Sequence, residues 1–169
     1  MDARGLTLLE LLITLSIIGI LLCLAMPMNS LLDRQRIFGN ATQLASSLRH
    51  ARTHAVLKQT GVTIQALEHD WASGWQIFTD PNRNAQLDPG ETLIHVRAIA
   101  NGTLARGNRP VADYVHFTMT GEPELISGAF QAGTLVFCSP RYPELRYQLI
   151  LGKAGRVRLE QLQGSQACP

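Results

Sequence analysis

The sequence predicts an α+β fold: a long N-terminal helix, part membrane span and part amphipathic, packed on a C-terminal antiparallel β domain. Three observations carry this. Residues 5–27, GLTLLELLITLSIIGILLCLAMP, form an apolar run interrupted by one acid. Ile37, Ala41, Leu44, Ala45, Leu48, Ala51 and Ala55 then recur at steps of three and four, the period of an amphipathic helix. From Gly61 onward the pattern changes to short alternating stretches separated by Gly, Pro, Asn and Asp, as antiparallel strands are.

The apolar run from Leu6 to Met28 has about the ~20 residues that cross a bilayer as a helix. It is not an ordinary secretory signal, because only MDARG precedes it and no A-x-A cleavage site follows. A carboxylate inside such a helix costs roughly 2.5–3.5 kcal/mol on insertion scales, so Glu10 calls for a positive partner. A free N-terminal amine would serve if the chain were cut after Gly5.

Gly5-Leu6-Thr7-Leu8-Leu9-Glu10 closely resembles the class III signal of type IV pilins and type II secretion pseudopilins. The resemblance implies that a prepilin peptidase cuts between Gly5 and Leu6 and methylates the Leu6 amine. It implies that Glu10 pairs with the N-terminal ammonium of a neighbouring subunit during assembly. Pro27 stands where the family often has a proline, and Leu6 stands where Phe is usual. The organisation implied is a leader at 1–5, a transmembrane and assembly half-helix at 6–28, an amphipathic half-helix at 29–58 and a β-rich globular domain at 59–169. The chain would be a single-pass protein of the bacterial inner membrane with its C-terminal domain periplasmic, later incorporated into a pilus at the cell surface. Its partners would be other major and minor pilins.

Beyond Pro27 the helix is expected to continue to about residue 58. Its second face carries Arg34, Arg36, Gln43, Arg49, Arg52 and Lys58. Pro27, which lacks an N–H and clashes with the preceding turn, is a candidate kink, and Gly39-Asn40 is a second soft point. His50 and His54, at i and i+4, could share a metal, but no third ligand is evident and solvated histidines are the plainer reading.

Strands are expected in Val62-Thr63-Ile64 and within GWQIFTD, TLIHVRAI, YVHFTMT, GTLVFC, RYQLIL and GRVRLEQL. Trp71 and Trp75 are expected in the core. The stretch WASGWQIFTDPNRNAQLDPGETLI resembles the FimT/FimU/GspH group of minor pilins and minor pseudopilins. Within it Asp80, Asn82, Asn84, Gln86, Asp88 and Glu91 fall at positions 1, 3, 5, 7, 9 and 12 of a calcium-binding loop. Against calcium, Ala85 stands where the sharp turn needs Gly, and both flanks read as strands rather than helices. The same residues suit a hairpin loop.

The chain has 169 residues, 17% of them charged, and a formal net charge of +2, a balance that does not by itself imply nucleic acid. Of three cysteines, Cys23 lies in the apolar run and Cys138 and Cys168 in the exported part, where they are the available disulfide pair if the compartment is oxidising. No cofactor is implied. The sequence contains no G-x-S-x-G, phosphate loop or zinc signature, and no convincing nucleophile with a base, which argues against an enzyme.

The remaining motif is Gly155-Arg156-Val157-Arg158. Residues two apart on a strand share a face, so Arg156 and Arg158 point one way and Val157 and Leu159 the other. Lys153 precedes them, and Arg141 and Arg146 are close in sequence. Glu160 shares the arginine face, so the residues alone favour a solvated strand. The GRVR motif is similar, however, to the C-terminal GRxR of FimT-type minor pilins, which is associated with DNA binding. The resemblance therefore implies a minor type IV pilin that contributes to pilus assembly and to capture of duplex DNA, without sequence preference, for natural transformation. The alternative is a GspH-like minor pseudopilin of a type II secretion system, structural and without DNA binding.

Overall fold

The computed structural model describes residues 7–25, 28–99, 102–162 and 168. They belong to two compact units, residues 1–33 and 34–169. In the first, α1 spans Leu8–Ala25. Its large apolar side chains are exposed all round, from Leu8 and Leu9 to Leu21 and Leu22, which is the signature of a helix meant for an apolar environment. Among the described residues no helix is long and apolar enough to cross a membrane. The eighteen residues of α1 rise about 27 Å, just short of the ~30 Å hydrocarbon core. The expected span, 6–28, includes Leu6, Met26 and Pro27, which lie outside the described residues. The expected kink at Pro27 lies outside them too.

Helix α2 spans Met28–Lys58, and from Arg34 onward it belongs to the second unit. Its predicted stripe is its buried face: Ile37, Ala41, Leu44, Ala45, Leu48, Ala51 and Ala55 are all at most 1% exposed. Removing the three large side chains of this stripe from water contributes about 1.5–3 kcal/mol each. The soft point expected at Gly39-Asn40 is regular helix. Asn40 is buried there, and its Nδ2 donates to Thr103 Oγ1 at 3.0 Å, which ties the helix to the β domain instead of loosening it.

Among the described residues eight strands follow: β1 Val62–Ala66, β2 Gly74–Thr79, β3 Leu93–Ala98, β4 Leu104–Gly107, β5 Tyr114–Phe117, β6 Gly133–Cys138, β7 Arg146–Leu151 and β8 Val157–Leu162. They form two four-stranded sheets, β3-β2-β1-β5 and β4-β6-β7-β8, and the strand pairs are antiparallel. Seven of the strands fall where alternation puts them. The eighth, β4, is absent from the expectation because LARG buries only Ala105 and carries no β-branched residue to mark it.

One core joins the α2 stripe to Ile64, Trp75 and Ile77 of the first sheet and to Leu135, Phe137 and Leu149 of the second. Both tryptophans are buried and anchored. Trp71 Nε1 donates to Val111 O at 3.0 Å, and Trp75 Nε1 donates to Ser47 Oγ on α2 at 2.9 Å. Cys138, at the end of β6, is bridged to Cys168 with a Cα–Cα separation of 6.0 Å across 30 residues. In the entropy model such a closure stabilises by about 3–4 kcal/mol.

Candidate functional site

Gly5 and Leu6, the expected cleavage and methylation site, lie outside the described residues. Glu10 is exposed in the first turn of α1. Its backbone N–H donates to Thr7 Oγ1 at 3.3 Å, and Leu11 N donates to Thr7 O at 3.2 Å. Thr7 thus occupies the N-cap position, and T-x-x-E is the capping-box spacing. A negative side chain in the first turn suits the helix dipole, which gives Glu10 a local reason to stand here. Sequence reasoning missed this role, although Thr7 three residues before Glu10 was its signal.

The second candidate is the hairpin before β8. Gly155 has φ +72°, and an added Cβ would come within 2.6 Å of Gly121 O and 3.0 Å of Arg52 Nε, so only glycine fits. The turn is closed by Gly155 N donating to Gly152 O and Gly152 N donating to Arg156 O, both at 2.9 Å. Two arginines of α2 hold it from below. Arg52 donates from Nε to Gly121 O at 2.9 Å and from Nη1 to Gly155 O at 3.4 Å. Arg49 Nη2 donates to Val157 O at 3.4 Å. In the sequence these arginines mark only a polar helix face, and their i, i+3 spacing beneath the hairpin needs the tertiary fold to acquire meaning.

On this support Arg156 and Arg158 are exposed, with Val157 buried between them. Arg158 Nη1 stands 3.9 Å from Glu160 Oε1, with both side chains about half exposed, a pair of little energetic weight. Lys153 Nζ lies 4.1 Å from the centroid of the Phe130 ring, a cation–π contact. Glu122 and Glu124 line the same small groove as these two residues, which dilutes the positive field.

Two residues of the expected basic cluster do not join it. Arg146 is 4% exposed on β7 and is engaged within the fold. Arg141 is exposed, but it sits in the β6–β7 loop beyond Arg146. Arg146 pairs with Leu162 at one end of the β7–β8 ladder and Leu151 pairs with Val157 at the other. Five residue steps of about 3.4 Å separate the two ends by roughly 17 Å. The cluster is thereby reduced to Lys153, Arg156 and Arg158.

The loop from Asp80 to Glu91 joins β2 to β3 as a hairpin connection, not between helices. Most of its polar groups bond within the fold, although Glu91 Oε1 is buried without a partner. Asp80 is fully buried and accepts from Thr63 Oγ1 at 2.6 Å, Ala85 N at 3.0 Å and Asn84 N at 3.1 Å. Asp88 accepts from the side-chain amides of Asn82 and Asn84, and its own N–H donates to Glu91 Oε2. Among the described residues no three His, Cys, Asp or Glu side chains gather to hold a metal, in this loop or around His50 and His54. For Asp80, Asn82, Asn84, Asp88 and Glu91 this favours the hairpin-loop reading over the calcium one, since most of the oxygens a cation would need already bond within the fold. His54 is held below the ordinary imidazole value by burial and by the charges of His50 and Lys58.

A network that sequence reasoning missed lies beneath this loop. His116 on β5 is 2% exposed, and its Nδ1 stands 2.9 Å from Thr63 Oγ1 and 3.3 Å from Asp80 Oδ2. Thr63 has a single hydroxyl hydrogen, and the short bond places it on Asp80, so Nδ1 carries a hydrogen that Thr63 Oγ1 and Asp80 Oδ2 share. Burial pushes the Asp80 carboxyl up, but the hydrogen bonds from His116 and Thr63, the charge of His116 and the Ala85 N–H outweigh it and hold the group below the ordinary value. Thr63, His116 and Asp80 have the residue types of a hydrolase triad without its arrangement. Hydroxyl and carboxylate share one ring nitrogen, whereas catalysis needs one on each.

Comparisons with known proteins agree with this architecture. The family model described as type II transport protein GspH matches residues 40–155, and that of the prokaryotic N-terminal methylation motif matches residues 1–26. The pilin-like protein PilA1 of Thermus thermophilus is 42% identical over 91 residues, 54% of this chain and 57% of the relative, so the chain spans little more than half of that curated relative's length. The crystal structure of the type IV minor pilin FimU of Pseudomonas aeruginosa superposes with a TM-score of 0.59 at 24% identity, covering 76% of this chain and 90% of that one. The minor pseudopilin EpsH of the Vibrio cholerae type 2 secretion system gives 0.52 at 12% identity, covering 72% and 93%. At these identities the two structures speak for the fold alone. With residues 40–155 of its 169 under the family model, the chain belongs to the GspH family, pilin-like proteins that are structural rather than enzymatic.

Proposed function

We propose that the chain is a membrane-anchored minor pilin, cut after Gly5, that enters a type IV pilus through its N-terminal helix and contributes duplex DNA contacts from its C-terminal hairpin. The observation that carries the filament reading is the methylation motif over residues 1–26 leading into α1, a helix apolar on every side. In this reading the inner membrane holds the helix before assembly, the globular domain is periplasmic, and other pilins cover the helix afterwards. Mass spectrometry of protein extracted from membranes tests it. The expected chain begins at methylated Leu6; an intact Met1, or a cut after residue 27, would remove the pilin reading. The family description supports a second reading, a minor pseudopilin of a type II secretion system. Finding the protein in sheared surface pili favours the first, and loss of secretion with normal pili on its deletion favours the second.

DNA contact is supported by Arg156 and Arg158, exposed on a turn that Arg49 and Arg52 brace. Guanidinium groups on a rigid support fork onto phosphates. With about three cations at most, the full chain in detergent should bind duplex DNA with micromolar affinity at best, without sequence preference. The logarithmic salt slope should be roughly −2.7. Arg156→Gln with Arg158→Gln should reduce that slope to about −0.9 and leave the thermal midpoint nearly unchanged, since exposed charges add little stability. A gel-shift series across salt concentrations measures both. No shift by the wild type at low salt, or an equal shift by the double variant, leaves the hairpin a solvated edge.

A further inference from the structure

We propose that the groove between α2 and β3 is a binding site for a phosphoryl oxyanion, separate from the hairpin before β8. The groove has a volume of about 310 Å³. One wall is a single helical stripe, Gln43, Ser46, Ser47 and His50, spaced so that all four project from the same face. The other is β3, the edge strand of the first sheet, where His95 and Arg97 stand two residues apart on one face. Ile94 completes the lining.

The chemistry of this lining is one-sided. Each polar side chain in it can donate a hydrogen bond, and no carboxylate is among them. Arg97 is the centre of the site. It pairs across the sheet with Trp75, and its guanidinium carbon lies 6.0 Å from the centroid of that indole ring, which orients the fork. Its Nε is buried without a hydrogen-bond partner. The chain itself thus leaves this guanidinium short of acceptors, while the residue lines the groove. Trp75 also prepares the opposite wall. Its Nε1–H donates to Ser47 Oγ, which leaves the Ser47 hydroxyl hydrogen free to donate into the groove. A planar fork, two imidazoles and hydroxyl donors facing one space match a tetrahedral anion with several acceptor oxygens. Free phosphate and the phosphodiester of a nucleic-acid backbone present the same oxygens to it.

The test uses the full chain in detergent micelles with ¹⁵N-labelled histidine. Inorganic phosphate replaces chloride at constant ionic strength. The imidazole resonances of His50 and His95 should shift saturably, while His69, which is outside the groove, stays still. Arg97→Gln should raise the half-saturating concentration at least about tenfold, the loss expected for a charge-assisted bond. His95→Gln, an exposed position with no packing role to lose, should raise it severalfold, so a folding defect in the arginine variant cannot hide the result. The double Arg156, Arg158 variant should titrate as wild type, which separates this site from the hairpin. A short duplex added at phosphate saturation identifies the source: displacement of the phosphate shifts points to a nucleic-acid backbone, and their persistence to the free anion. A linear drift without saturation, equal movement of His69, or unchanged titration of both groove variants would overturn the proposal.

Discussion

Glu10→Gln is expected to insert into the membrane, keep its helix and fail to enter filaments. The choice of glutamine rests on the local geometry. Thr7 caps α1 by accepting from the Glu10 N–H, and in a capping box glutamine serves at the third helical position much as glutamate does. The variant therefore preserves the local role and removes only the charge. If Glu10 pairs with the ammonium of a neighbouring subunit, the variant leaves that ammonium uncompensated in an apolar setting. Breaking a buried pair from one side costs about 3–5 kcal/mol, a fall in incorporation of roughly a hundredfold to a few thousandfold. Glu10→Ala also keeps the backbone N–H that donates to Thr7 Oγ1 and likewise removes the charge, so it should be as defective. The measurement is the ratio of variant in sheared filaments to variant in membranes. Wild-type incorporation of the glutamine variant would mean that the charge of Glu10 plays no part in assembly.

Much of this architecture is legible in the residues because burial and periodicity are locally coupled. The α2 stripe could be named side chain by side chain, since seven apolar positions at steps of three and four can face only one way on a helix. Seven strands announced themselves by alternation between turn residues. What stayed hidden is what the fold assembles from distant parts. The division into two sheets depends on β4 pairing with β6 and β1 with β5, and nothing in LARG foretells a partner some thirty residues away. The basic cluster failed for the same reason: Arg141 and Arg146 are near Arg156 along the chain, but a strand's length carries them to the other end of the ladder. Conversely, Arg49 and Arg52 reach the GRVR turn from more than a hundred residues away in sequence. The loop from Asp80 to Glu91 shows a further limit. Oxygen-bearing side chains at alternating positions suit a cation loop as well as a self-bonded turn, and the donors that reach Asp80, from Thr63, Asn84 and Ala85, become visible only in the fold.

Those same donors make Asp80→Ala the substitution expected to destabilise the globular domain most. The carboxylate is fully buried. Its removal strands the Thr63 hydroxyl and the Asn84 and Ala85 N–H groups and leaves His116 Nδ1 without its acid. Each orphaned buried donor costs about 1–3 kcal/mol, but relaxation and water entry share the burden, so a total of about 3–5 kcal/mol is expected. For a domain of this size that lowers the thermal midpoint by roughly 10–20 °C. The pH dependence carries a second signature. Because the folded carboxyl is held below its ordinary value, its contribution is fully present above the unfolded value of about 3.9. It is lost as pH falls through the lower folded value. Asp80→Asn, which keeps the shape but cannot ionise, should therefore be less stable than wild type at neutral pH and should show a shallower loss of stability between about pH 4 and more acidic conditions. Thermal melts followed by circular dichroism across that range measure both effects. A midpoint within about 2 °C of wild type for Asp80→Ala, where the burial predicts several times more, would show that the loop is held by its own turn and not by this carboxylate.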